Sequence, residues 1–219
     1  MTVVAIDGPV GSGKSSVARR AAERLGYLYL DTGAMYRAVG LLATEAGVDL
    51  SDEEAVVPIA ATAGLRFDGG GRLWAGERDV SGLIRSLQMG EAASVVSALP
   101  GVRRLLVARQ RELGAGADIV MEGRDIGTNV FPDAEVKVFL TAPADVRAAR
   151  RAAELRGKGE VVHDGDVLTA LLERDRRDSQ REVAPLRKAH DAVEVDTAGL
   201  TLDEVVDAVV AVVGQKVAS

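Results

Sequence analysis

Gly8-Pro9-Val10-Gly11-Ser12-Gly13-Lys14-Ser15 fits the spacing G-x-x-x-x-G-K-[ST], followed by a second serine, Ser16. Those residue types suit one chemistry. Glycines let backbone N–H groups turn inward onto phosphate oxygens, and a helix starting at Lys14 would add partial positive charge at the same place. Lys14 supplies a mobile full charge for β- and γ-phosphates, and the Ser15 hydroxyl completes the shell of a Mg²⁺ ion, which prefers oxygen ligands. As a loop residue, Lys14 is expected to contribute little to the core. A chance glycine loop would lack the apolar run Val3 to Ile6 before it and the helical spacing of Val17, Ala18, Ala21, Ala22 and Leu25 after it. The stretch from Gly8 to Ser16 therefore reads as a P-loop that binds ATP. A P-loop alone does not separate kinases from GTPases or motor ATPases. No Asn-Lys-x-Asp guanine-reading motif occurs, and 219 residues leave little room for a mechanical ATPase, so a small-molecule kinase fits best.

A kinase acting on a phosphorylated acceptor needs a second anion site, and three places offer one. Arg37 stands one turn into the helix that follows Asp31-Thr32. Glu122-Gly123-Arg124-Asp125 follows the apolar strand Ile119 to Met121, and ligands of open α/β sheets sit at the carboxyl ends of strands. The third is a helix whose stripe runs Val167, Leu171, Arg174, Asp178, Arg181, changing from aliphatic to charged along one face. Charges on a stripe that began as core need a partner or a ligand. The plainer reading is a surface Arg174–Asp178 ion pair, worth a few tenths of a kcal/mol. With a P-loop and two other arginine-bearing loops present, the ligand reading is preferred. Arg147, Arg150, Arg151, Arg156, Arg174, Arg176, Arg177, Arg181 and Arg187 all fall in this late stretch, while the formal net charge is −6. That balance excludes a general nucleic-acid binder but not a phosphate ligand gripped locally. His163 and His190 read as surface residues.

The elements that must position these groups alternate. Strands are expected at Val3 to Ile6, Tyr27 to Leu30, Ile119 to Met121, Val136 to Leu140 and Val193 to Val195. Helices are expected at Lys14 to Leu25, from Asp31-Thr32 to about Ala46, and at about Ala144 to Leu155, Asp164 to Arg181 and Thr201 to Val213. Such alternation implies a mostly parallel sheet covered on both faces. Gly64 to Gly82 breaks the rhythm: Leu65-Arg66-Phe67, Asp68-Gly69-Gly70-Gly71 and Arg72-Leu73-Trp74 read as a hairpin with a glycine turn, either a surface appendage or a moving substrate lobe. Aromatics are only 3% of the chain, so Val, Leu, Ile and Ala must fill the core. Cysteine is absent, which excludes disulfides and thiolate chemistry and fits a reducing compartment. No apolar run approaches membrane-spanning length, and Met1 to Asp7 reads straight into a strand without a secretory signature.

At this point the sequence resembles bacterial cytidylate kinases along nearly its whole length. The resemblance is carried by Asp7-Gly8-Pro9, by Leu30 to Arg37, by Asp79-Val80-Ser81, by Gly123-Arg124-Asp125-Ile126-Gly127-Thr128, by Val130 to Ala134, and by Arg174-Asp175 through Ala184-Pro185-Leu186. It implies a P-loop NTPase three-layer α/β sandwich: one domain over 1–219 with a parallel five-stranded sheet, a small antiparallel β insert at about 62–88 binding the monophosphate, and a lid at about 150–165. It implies transfer of the γ-phosphoryl group of ATP to CMP and dCMP with Mg²⁺. Residue by residue, it implies that Arg37, Arg124 and Arg181 grip the CMP phosphate, with Arg181 also near the base. Ser94, Arg103 and Asp125 would read cytosine, Arg174 and Asp178 would hold the ribose, and Thr32 would stand where related sequences carry Ser. Arg150 would reach from the lid helix to the transferring phosphoryl group, beside Lys14 and Ser15. The implied protein is a cytoplasmic monomer without nucleic-acid or membrane partners. Two alternatives stay open: a P-loop kinase of UMP or another small phosphate acceptor, and a nucleotide-binding regulatory module that does not turn over.

Overall fold

A computed structural model describes residues 1–68, 71–157 and 159–217, which fall into two compact units. The first unit comprises Met1–Tyr29 and Gly116–Ser219. Its sheet has five strands in the order β2-β6-β1-β7-β8: β1 (Val3–Asp7), β2 (Leu28–Asp31, of which Leu28 and Tyr29 belong to this unit), β6 (Ile119–Gly123), β7 (Val136–Thr141) and β8 (Val193–Asp196). β1 lies in the middle, parallel to both neighbours, with Val4 level with Val120 on one side and Val136 on the other. Every residue of β1 and of β6 is buried, so both read as continuous apolar runs rather than alternating ones.

Helices α1 (Lys14–Leu25) and α8 (Leu202–Val217) pack on this sheet. Val17, Ala18, Ala21 and Ala22 of α1 and Val205, Val206, Val209 and Val213 of α8 close over Val4, Ile6, Val120, Val136, Val138 and Leu140. The core is thus almost wholly aliphatic, as the shortage of aromatics requires. Helices α6 (Ala144–Gly157) and α7 (Asp164–Gln180) pack against each other and carry most of the late arginines. α1 ends where Gly26 takes a φ of 70°, satisfying the last carbonyls of the helix.

The second unit, Leu30–Ala115, is described by itself. It contains α2 (Thr32–Glu45), α3 (Glu53–Thr62), α4 (Leu87–Val96) and α5 (Pro100–Gly114), with a three-stranded antiparallel sheet of β3 (Leu65–Phe67), β4 (Leu73–Ala75) and β5 (Arg78–Asp79). α2 packs on α4 and α3 on α5. The expected hairpin is therefore present and gains a third short strand. Its tip at Gly69-Gly70 lies outside the described residues; beside it, Asp68 receives the backbone N–H of Gly71 on its carbonyl and that of Arg72 on its carboxylate, both at 2.9 Å. The sequence reading assigns nothing to α3, α4 and α5. The reason is visible in α4, where Ala92, Ala93 and Ser94 are buried in succession and blur the helical period. Among the described residues, no helix is long and apolar enough to cross a membrane.

Candidate active site

The P-loop joins β1 to α1 as its sequence requires. Gly8 has a φ of 151°, and a Cβ there would lie 2.1 Å from the Leu140 carbonyl oxygen, so only glycine lets the loop leave the sheet. Gly13 caps α1 with a φ of 87°, and no acidic residue occupies the first turn of the helix. The N–H groups of Lys14, Ser15 and Ser16 open that turn, where an α-helix offers no carbonyl partner, and so form an anion-binding end. Lys14 is buried, contrary to the expectation of a free loop lysine: its ammonium donates to the Pro9 carbonyl at 2.6 Å and to Ser12 Oγ at 3.2 Å. Burial and the nearby Arg124 guanidinium hold its pKa well below the usual lysine value, with Glu122 acting in the opposite sense. A bound phosphate would relieve that cost, which suits a lysine waiting for an anion.

Not every P-loop residue is equally free for a nucleotide. Ser12 is fully buried beneath the loop. The Val10 N–H donates to Asp175 Oδ1 at 3.3 Å and its carbonyl accepts from Arg147 Nη1 at 2.9 Å, so its backbone groups are engaged within the protein rather than offered to phosphate. Ser15 Oγ donates to Glu122 Oε2 at 2.9 Å, and Tyr29 donates to the other oxygen of Glu122. Hydroxyl and carboxylate oxygens are the donors a hard divalent cation takes, and the pairing at the P-loop serine fits Mg²⁺ held jointly with phosphates and water. Among the described residues, no cluster of three or more His, Cys, Asp or Glu could hold a metal without such help.

Asp7 organises the neighbouring loop. Its two carboxylate oxygens accept the N–H groups of Ile126 and Gly127 at 2.9 and 2.8 Å, holding the π-helical turn Ile126–Val130 that follows Arg124 and Asp125. Burial pushes the Asp7 carboxyl up to about 6, against the lowering effect of those two N–H groups and of Lys14. The same loop brings the arginines of the first unit to carboxylates. Arg124 Nε donates to Asp178 Oδ2 at 3.0 Å, and Arg181 Nη2 donates to Asp125 Oδ1 at 3.0 Å. Asp125 Oδ2 accepts from Asn129 at 3.0 Å. Burial alone would raise the pKa of Asp178, but Arg124, Arg174 and Arg181 together bring it below the ordinary carboxylate value. This cluster is therefore charged on both sides. Arg174 and Asp178 lie on α7 as expected, whereas Arg181 caps its end rather than extending it.

Arg150 stands on α6 and is bonded to Thr197. Its guanidinium donates to the Thr197 hydroxyl at 2.8 Å and to the Thr197 carbonyl at 2.6 Å, at the end of β8. Arg147, one turn earlier on α6, is the arginine that reaches the P-loop. In the second unit, Asp31 caps α2 by accepting the Ala34 N–H at 2.9 Å and pairs with Arg37 at 2.6 Å, while Thr32 is buried as the first residue of that helix. Ser94 and Arg103 are also buried; Arg103 donates to the Ser97 carbonyl at 3.3 Å and lies over the Tyr36 ring at 5.7 Å. His163 and His190 are exposed.

Comparison with known proteins decides the family. The profile of the cytidylate kinases matches residues 4–215. The chain belongs to the cytidylate kinase family. It is 48% identical over 216 residues to the cytidylate kinase of Carboxydothermus hydrogenoformans (strain ATCC BAA-161 / DSM 6008 / Z-2901), covering 97% of each chain. It is 49% identical over 214 residues to the bifunctional pantoate ligase/cytidylate kinase of Synechococcus sp. (strain JA-3-3Ab), covering 95% of this chain and 40% of that longer protein. Among solved structures, a gluconokinase from Sinorhizobium meliloti 1021 superposes with a TM-score of 0.51 at 18% identity, covering 98% of this chain and 92% of that one, which shows a shared fold.

Within this cytidylate kinase family member, five residues at the first-unit site had no individual role from the sequence: Asp7, Arg147 and Asp175 stood only in motifs or among the late arginines, Glu122 in a candidate anion site, and Tyr29 in a strand. Asp7 ends the buried strand β1 and Glu122 stands one residue before the end of β6, and an acidic residue directly after an apolar run was the available signal. Tyr29, Arg147 and Asp175 carried no such signal, because their partners are remote in sequence.

Proposed function

We propose that this member of the cytidylate kinase family transfers the γ-phosphoryl group of ATP to CMP and dCMP, giving CDP or dCDP and ADP. The observation that supports it is a P-loop anion site in the same unit as arginines latched to buried carboxylates, Arg124 to Asp178 and Arg181 to Asp125. A lone nucleotide-binding module needs only the first of these. Two phosphates repel, and the work of such a kinase is to bring them into line and neutralise the charge that develops. Lys14 and the N–H groups opening α1 do so for the donor. Arg124 and Arg181 do so for the acceptor, whose phosphate is largely dianionic at neutral pH with a second pKa of about 6 and needs no general base. Arginine suits that role because its planar donors can take two phosphate oxygens at once.

Ser15 and Glu122 would hold Mg²⁺, which supplies neutralisation of the β- and γ-phosphate charge. Asp125, whose carboxylate meets Arg181 and Asn129, is assigned to accept the 4-amino group of cytosine. Arg174 and Asp178 are assigned to the ribose. For Thr32, Arg37, Ser94 and Arg103, the CMP-binding role rests on the sequence resemblance, as do the acceptor lobe at 62–88 and the lid at 150–165. Arg150, assigned by the same resemblance to the transferring phosphoryl group, donates to Thr197 through Nη1 and Nη2. The reading implies a cytoplasmic monomer working on free nucleotides. A coupled ADP-release assay across CMP, dCMP, UMP, AMP and shikimate tests it: CMP and dCMP should be the preferred acceptors, and a preference for any other would replace this reading.

A further inference from the structure

We propose that Arg147 and Asp175 are positioning residues for the donor phosphates, acting by gripping both backbone groups of Val10 in the P-loop. The inference rests on the donor-site reading above and adds a part that the P-loop motif does not contain. Val10 N–H donates to Asp175 Oδ1 at 3.3 Å, and the Val10 carbonyl accepts from Arg147 Nη1 at 2.9 Å. The ring closes because the same Nη1 meets Asp175 Oδ2 at 2.6 Å. Arg147 Nε is fixed in turn on the Ala142 carbonyl, at 2.8 Å, just beyond β7.

Both side chains are largely withdrawn from water, at 8% and 17% exposure, so the charge-assisted bonds are poorly screened. The loop also lies directly on α6. A Cβ at Gly11, where φ is 75°, would come within 3.1 Å of both the Cβ and the carbonyl oxygen of Arg147. An ion pair serving only to pack α6 on α7 would need neither bond to Val10. A glycine-rich loop has many backbone conformations, and only one aims its amides at a phosphate, so holding its third residue at both N–H and C=O preorganises the donor site. Because Asp175 stands on α7 and Arg147 on α6, the conformation of the P-loop is tied to the helices on either side of segment 158–163.

The test compares the unmodified protein with Asp175→Asn, Asp175→Ala and Arg147→Lys. Asparagine can still accept the Val10 N–H but loses the charge that holds Arg147. Alanine loses both. Lysine lacks the planar fork that serves Ala142, Val10 and Asp175 together. Equilibrium binding of AMP-PNP with Mg²⁺ is measured by calorimetry, with KM for ATP and for CMP and the melting temperature alongside. We expect Asp175→Ala and Arg147→Lys to weaken AMP-PNP by about tenfold or more, with Asp175→Asn between, while KM for CMP moves by less than about twofold. A lowered melting temperature with AMP-PNP affinity unchanged would show that the pair merely packs the helices and would overturn the proposal. If the variants do not fold, hydrogen exchange of the unmodified protein decides. Protection of the Val10 amide without nucleotide is expected, and exchange at the rate of an open loop overturns the inference. Failure of the unmodified protein to phosphorylate CMP would count against the functional reading alone, since the AMP-PNP comparison needs no acceptor.

Discussion

Asp7 Oδ2 accepts the backbone N–H of Gly127 at 2.8 Å, so the last residue of β1 holds the turn that follows Arg124 and Asp125. This carboxylate ties the end of the central strand to the loop that carries Arg124 and Asp125, the groups proposed above for the acceptor.

Asp7 should also leave a mark on stability. Its folded pKa, about 6, lies above the ordinary 3.8, so the folded state binds the proton more tightly than the unfolded state. That contribution is fully present below the ordinary value and is lost as pH rises through the folded one, amounting to about 3 kcal/mol in all. Asp7→Asn removes it. Urea unfolding between about pH 4 and pH 6 should show a slope of stability against pH that is more positive in the variant, by up to about 1.4 kcal/mol per pH unit. Parallel slopes would mean that Asp7 titrates normally.

Lys14→Ala should lower kcat by a factor on the order of 1,000, since a positioned charge on the transferring phosphates is lost. Because Lys14 bonds Pro9 and Ser12, the variant should also lose some stability, about 1–2 kcal/mol. Circular dichroism and a melting curve separate the two effects. A folded variant with near-normal turnover refutes the donor-site assignment.

Asp125 should discriminate bases. Uracil offers a carbonyl where cytosine offers an amino donor, and setting that carbonyl against a buried carboxylate opposes two acceptors, which can cost a factor of 100 or more, roughly, in kcat/KM. CMP and dCMP should therefore exceed UMP clearly, and Asp125→Ala should narrow the gap. That variant also frees Arg181 from its carboxylate, so the CMP and UMP values must be compared as a ratio. An unchanged ratio would take base reading away from Asp125.

Arg150→Ala separates two roles for that side chain. If Arg150 leaves Thr197 to meet the transferring phosphoryl group, kcat should fall by roughly 100-fold or more with KM for CMP little changed. If it serves only as a latch on Thr197, the melting temperature should fall and kcat should hold.

Ala184 has a φ of 50°, the one positive value outside glycine among the described residues, and its carbonyl accepts from Arg181 Nε at 2.6 Å. The left-handed conformation costs an L-residue about 1–2 kcal/mol. Ala184→Gly should relieve that strain, offset in part by a more flexible unfolded chain, and shift stability by less than about 1 kcal/mol. Ala184→Val, with a branched Cβ, should destabilise and loosen the hold on Arg181. Equal melting temperatures for the glycine and valine variants would show that no strain is stored there.

Sequence by itself determined the features whose cause is local. The strand–glycine loop–helix order around Lys14 follows from an apolar run, a set of glycines and a 3.6-residue period, all within 25 residues. The charged end of the α7 stripe was legible for the same reason. Partnership was not legible, because it depends on which strand ends the sheet brings side by side. Asp178 meets Arg124, 54 positions away, rather than only its helical neighbour, since the end of β6 delivers Arg124 to α7. Val10 is gripped by residues 137 and 165 positions distant. Arg147 and Arg150 are three residues apart and alike in type, so their spacing does not say which one turns to the P-loop and which to Thr197. The rotation of α6 against β7 and β8 decides that, because positions three apart on a helix lie about 60° apart around its axis and meet different neighbours.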